Sequence, residues 1–152
     1  MIRVLSNTSP ETKLFLKFIR DDLKQCRVRL EFTNAKTIRV EGIGKADGFF
    51  QEPRAAMWGR IRIATGGTRK HSTILATIAH EYCHFRQWYS SDIAYMKEYS
   101  PDHYLRLEEK TEKETIALLR EFRVPLNFRA VKKRSESYIT RLRASQIPHK
   151  YQ

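Results

Sequence analysis

Cysteine, glycine and proline are scarce in this sequence. Its 152 residues include two cysteines, six glycines and five prolines. Two thiols, Cys26 and Cys83, do not make the disulfide framework on which small secreted domains depend. So little glycine and proline excludes a collagen-like or low-complexity chain. Apolar runs are only a few residues long, so nothing spans a bilayer as a helix. The opening residues, Met1-Ile2-Arg3-Val4-Leu5, lack the apolar stretch of a signal peptide. These absences predict a cytoplasmic protein with reduced thiols and no membrane partner.

Negative charge is also in short supply. Twenty-nine basic residues face 17 acidic ones, for a net charge of +12 and a pI near 10.0. Such a balance favours phosphate backbones or acidic surfaces. Much of the excess lies late in the chain, where Arg129, Lys132, Lys133, Arg134, Arg141, Arg143 and Lys150 stand against Glu136 alone. Nucleic-acid contact through the Arg129–Lys150 segment is one reading, and a solvated helix face is the other. No zinc finger, helix-turn-helix signature or aromatic nucleic-acid platform stands out.

What is present suits one domain over residues 1–152, with 129–152 as a basic helical extension. Hydrophobic residues make up 41% of the chain, enough for a modest core. Ser9-Pro10-Glu11 reads as a helix start, and Leu14, Phe15, Phe18, Ile19 and Leu23 then share one face to about Gln25. Val28, Leu30 and Phe32 alternate with charged residues, the period of a half-buried strand. Further strands are expected at Thr37–Val40, at Phe49-Phe50 and at Trp58–Ala64, with bends at Gly42, Gly44 and Gly48. Ser72 can cap a buried helix running to about Tyr89. After an irregular stretch from Ser90, Pro101-Asp102 opens another helix reaching about Arg123, with Tyr104, Leu105, Thr115, Ile116, Leu119 and Phe122 inward. Val131, Tyr138, Ile139 and Leu142 mark a last amphipathic helix. Helix, strands, then helices describe an α+β fold, with helices packed on one small antiparallel or mixed sheet.

One motif carries chemistry. His80-Glu81-Tyr82-Cys83-His84 is an H-E-x-x-H pattern on a predicted helix. Residues at i and i+4 lie one turn apart on the same face, so both imidazoles can reach one metal at about 2.0–2.1 Å. Glu81 projects beside them and can act as general base toward a metal-bound water. His71 and His149 have no partner at metal spacing and are expected to face solvent.

These residues, on a helix that follows a strand and precedes a glutamate-bearing helix, resemble the zincin superfamily of zinc peptidases. The resemblance covers about Gly59 to Pro125. It implies Zn2+ as cofactor, a zincin-like domain and a peptide or protein substrate. The metzincin branch adds a glycine and a third histidine close behind the motif, and Phe85-Arg86-Gln87-Trp88 and the residues after it supply neither. The gluzincin branch takes a glutamate from a later helix. Glu112 borders the expected buried stripe, has Thr115 three residues on, and lies at a distance from Pro125 similar to that in the small ImmA/IrrE-like peptidases of bacteria and their mobile elements. Glu112 is therefore ranked first, Glu114 second and Glu108 third, with His103 as a competing ligand. Ile116 stands where many gluzincins carry Asp or Asn to orient a ligand histidine. By the same resemblance, Gly59–Ala64 is the candidate edge strand for an extended substrate, and Tyr104 and Tyr138 are candidates for stabilising the oxyanion.

Three functions follow. The first is a zinc endopeptidase with Glu81 as base. The second is a zinc-containing nucleic-acid or protein-binding regulator with little or no activity, against which the intact Glu81 argues. The third is a zinc hydrolase of another amide, such as a cell-wall peptide, which the lack of a signal peptide disfavours.

Overall fold

The computed structural model describes residues 8–41, 44–67, 69–91 and 101–150. The stretch expected to be irregular after Ser90 falls largely outside them, as do the Gly42 bend and the side chain of His149.

Helix α1 spans Pro10–Gln25. The Ser9 hydroxyl accepts the Thr12 amide at 3.1 Å, which satisfies one orphan donor of the first turn. Its buried side is Thr12, Phe15, Leu16, Ile19 and Leu23. Leu14, expected inside, is exposed, and Phe18 is 43% exposed while still packing edge-on against Tyr82.

The strands are β1 (Val28–Thr33), β2 (Ile38–Val40), β3 (Gly44–Ala46), β4 (Gly48–Gln51) and β5 (Gly59–Ala64). They form two sheets rather than one: a three-stranded sheet in the order β1-β5-β4, and a separate β2–β3 hairpin. β5 runs parallel to β1, with Leu30 opposite Ile61, and antiparallel to β4, with Phe50 opposite Ile61. The strand expected at a sheet edge is therefore the central one. Along β5 the isoleucines Ile61 and Ile63 are fully buried while Arg60 and Arg62 stay partly exposed. Such alternation marks a sheet with helices on one face.

Helix α2 (His71–Tyr89), helix α3 (Pro101–Glu121) and helix α4 (Phe128–Lys150) complete an α+β fold. Ser72 does not cap α2: the helix begins two residues earlier than that cap would set it, at His71, with Lys70 at the N-cap and no side-chain cap. α2 is the hub, packing against β4 and β5, against α3, and against part of α4. Ile74, Ile78, Tyr82 and Phe85 of α2 are buried together with Phe15 and Ile19 of α1, Ile61 and Ile63 of β5, and Leu118 and Leu119 of α3. No described helix is long and apolar enough to cross a membrane.

Gly48 sets how closely β4 approaches α2. A Cβ there would lie 2.9 Å from the Thr77 methyl and 3.0 Å from the Arg62 carbonyl oxygen. Glycine is the residue that permits this approach. Gly48→Ala is expected to lower unfolding free energy by about 1–3 kcal/mol, the range for overpacking. Urea denaturation measures it, and an unchanged midpoint would mean that β4 does not lie against Thr77.

Candidate metal centre

Helix α2 is largely buried, yet one stripe of it is polar. Thr73, Thr77, His80, His84 and Gln87 follow one another at alternating steps of four and three residues, which is a single helical face. The rings of His80 and His84 stack edge to face with centroids 4.8 Å apart. Across from them, α3 brings Glu108, which is only 3% exposed. One carboxylate oxygen lies 3.1 Å from His80 Nε2 and the other 3.1 Å from His84 Nε2. From α4, the Tyr138 hydroxyl donates to Glu108 Oε2 at 3.0 Å.

The donor atoms of His80, His84 and Glu108 all lie within 4.8 Å of one another. Tetrahedral zinc with bonds of 2.0–2.1 Å needs ligand atoms roughly 3.4 Å apart, so a small inward adjustment would complete a His2Glu set. The chemistry of the donors and the oriented Nε2 atoms both fit a resident Zn2+.

The outer partners explain that orientation. His84 Nδ1 lies 3.0 Å from Gln87 Oε1. The Gln87 amide nitrogen already donates to Thr111 Oγ1 at 3.0 Å and to Glu114 at 3.1 Å. Its oxygen is thus left to accept the His84 Nδ1 proton, which turns Nε2 toward the centre. Glu112 stands 3.9 Å from His80 Nδ1 on the far side of that ring. That separation exceeds a direct hydrogen bond and suits a bridging water.

The three glutamates therefore change places relative to their ranking. Glu108, ranked third, touches both imidazoles; Glu112, ranked first, flanks His80 from outside; Glu114 holds Gln87. His103 and His71 are half-buried and not members of the cluster. The cause is the phase of α3. Its buried stripe is Leu107, Glu108, Thr111, Thr115, Leu118 and Leu119, whereas Leu105 and Ile116 are only partly covered. Thr115 and Leu119 lie inward as expected, but Glu108 and Thr111 fill the rest of the stripe in place of Leu105 and Ile116. Thr111 and Thr115 donate to the carbonyls of Leu107 and Thr111 at 2.7 and 2.8 Å, so their hydroxyls are satisfied inside the helix and their methyls pack as core. Gln87 escaped attention altogether. The signal for it was spacing, three residues beyond His84 on the histidine face.

Burial alone would push the His80 imidazolium toward neutrality. The charge and hydrogen bond of Glu108, with Glu112 and Glu81 behind it, outweigh burial and hold its pKa well above the usual value. Burial likewise works to raise Glu108, but the two imidazoles win and keep its carboxyl well below the ordinary carboxylate range. Glu81 is buried, and burial raises its pKa against the pull of His80 and His84. Cys83, beside the histidine face of α2 and against Thr115 of α3, is pushed up to about 11 by burial and is an inert thiol. Burial and the Glu108 charge hold the Tyr138 phenol above its usual value, so it remains a donor.

Comparisons against family models, curated proteins and solved structures gave no match for this chain.

A metal ligand histidine must be neutral. Since the His80 pKa lies well above 6.5, zinc uptake at pH 7 is expected to release roughly one proton or more, and apparent affinity should climb about tenfold per pH unit below that raised value. Calorimetric zinc titration in two buffers of different ionisation enthalpy reads the release. Heats that do not depend on the buffer would remove His80 from the ligand set.

Proposed function

We propose that the protein is a zinc-dependent metallopeptidase with a zincin-like domain, working on peptide or protein substrates. The observation that carries this reading is the meeting of His80 Nε2, His84 Nε2 and the buried Glu108 carboxylate beside a buried, unpaired glutamate, Glu81. Among the described residues Glu81 makes no hydrogen bond or ion pair. A site that only held a metal for structural reasons would have no use for a second carboxylate kept beside the ligands without a partner of its own.

When bound, zinc supplies Lewis acidity that lowers the pKa of a water and polarises a substrate carbonyl. With zinc held by His80, His84 and Glu108, Glu81 would accept a proton from the attacking water and deliver it to the departing amine nitrogen. Its raised pKa suits a group that must both take and give a proton near neutrality. Gln87 keeps His84 in the tautomer that offers Nε2. Tyr138, a protonated phenol whose ring centroid lies 6.4 Å from that of His80, gives its one hydrogen to Glu108 Oε2 and would serve the oxygen that becomes negative by exchanging that bond for one to substrate. Tyr104 hydrogen-bonds to Tyr138 and steadies that phenol.

An extended substrate has a different strand to pair with than Gly59–Ala64, because β5 is covered on both sides. Among the described residues the strand with an unpaired side next to α2 is β4, and we assign substrate pairing to it. The two free thiols suit a reducing compartment such as the cytoplasm.

The test is zinc per chain by elemental analysis, paired with proteolysis of an unfolded protein such as casein. Wild type and Glu81→Gln should each hold about one zinc, as expected for a three-ligand catalytic site, and His84→Ala should hold almost none. Glu81→Gln should lose about 10²–10⁴-fold in kcat. A folded wild type that takes up no zinc would sink the proposal. Tyr138→Phe gives a finer readout: kcat should fall about 10²-fold or more at similar KM if the phenol serves the transition state, and a change in KM alone would assign it to binding.

A further inference from the structure

The polar stripe of α2 continues past the metal centre toward the start of the helix. There a cavity of about 420 Å³ opens between α2 and α4. Its wall carries Arg69, Lys70 and Arg134 together with the hydroxyl residues Ser72 and Thr73, and no acidic side chain. Arg69 is ion-paired to Asp47 at 2.8 Å and donates to the Lys36 carbonyl, so most of its charge is answered, although its Nε is buried without a partner.

Arg134 is different. It is half-buried, and its one hydrogen bond goes to the neutral Thr73 hydroxyl. No carboxylate lies within ion-pair distance of it among the described residues. Glu112 and Asp47 act on it only from further away. A partly desolvated guanidinium with most of its donors open is costly unless an anion completes it. Lys70, exposed at the rim, also has no acidic partner among the described residues.

The position relates this cavity to the reaction centre. Thr73 precedes His80 by seven residues on the same face of α2, about 10 Å at 1.5 Å per residue. Arg134 precedes Tyr138 by one turn on α4. An extended chain advances about 3.3 Å per residue, so a substrate lying along α2 would reach the cavity with its third residue from the bond at the metal.

We propose that Arg134 and Lys70 form an anion subsite that selects a carboxylate, from an Asp or Glu side chain or a chain terminus, about three residues from the scissile bond. The inference rests on the peptidase reading for its placement, but the anion binding itself does not need catalysis. The guanidinium fork suits a carboxylate in two-point contact, and the cavity admits the side chain without displacing protein atoms. A net positive protein would in addition draw acidic segments toward this end of the site.

The experiment has a binding arm and a cleavage arm, both on the full chain. In the first, zinc-loaded Glu81→Gln is titrated with blocked tri-aspartate, tri-glutamine and tri-lysine peptides and with inorganic phosphate, followed by amide resonances. Tri-aspartate should shift residues 69–73 and 130–134. Its affinity should fall at least tenfold in Arg134→Gln, and about threefold in Lys70→Gln, which sits at an exposed position and leaves the fold alone. Tri-glutamine or tri-lysine binding equally well would overturn the proposal. So would phosphate matching tri-aspartate at the same residues, since the site would then serve free anions rather than a peptide. In the second arm, wild type cleaves a mixed peptide library. Asp and Glu should be enriched about three residues from the cut, and Arg134→Glu should shift the enrichment to Lys and Arg. Cleavage with no such enrichment overturns the subsite. Absence of all cleavage with tri-aspartate binding intact refutes the peptidase reading and leaves the anion site standing.

Discussion

A single carboxylate shared between two imidazoles ties α3 to α2, and the polar half of the structure is arranged around it. Glu108 is almost wholly buried, which for an isolated carboxylate would be prohibitive. It is tolerable because two imidazole nitrogens of α2 and the Tyr138 hydroxyl of α4 converge on it. Those contacts fix the rotation of α3 about its axis. That rotation in turn sends Thr111 and Thr115 into the core, brings Glu114 to Gln87 and leaves Glu112 behind His80. Removing Glu108 would therefore disturb the seating of a helix as well as the ligand set.

Part of this was legible before any coordinates. The H-E-x-x-H spacing specifies two imidazoles on one helical face whatever the surroundings, and the alternation of β5 and the cap of α1 are local rules of the same kind. The failures share one cause. Phase on α3 depends on which of two partly apolar faces meets α2, and that is decided across space. Leu105 and Ile116 offered a plausible continuation of the inward face that Thr115, Leu119 and Phe122 do join, but the places beside them are taken by Glu108 and Thr111, residues that count as polar until their partners are known. The same limit applies to β5. Its sequence reads as a half-buried strand, and nothing within it reveals that two strands, both earlier in the chain, flank it in the sheet. Gln87 acquires meaning only once Thr111 and Glu114 are seen to occupy its nitrogen.

The electrostatics divide the protein into two regimes. Around the centre, opposite charges are buried and mutually dependent, so each pKa is set by its neighbours. On the surface, the cations of α4 are solvated, and the Arg143–Glu109 pair at 2.8 Å is the kind of exposed contact that contributes little. Arg134 belongs to neither regime. It is covered enough to lose water and open enough to accept something else.

β4 has a consequence that its role beside α2 does not reveal. It is four residues long and is followed by Glu52 and Pro53. An unpaired strand edge invites any extended chain, including another copy of the same protein. So short a rail can form only a few ladder bonds before proline ends it, so two copies cannot zip together into a growing stack. The brevity that would limit pairing with a foreign strand equally limits pairing with another copy of the chain.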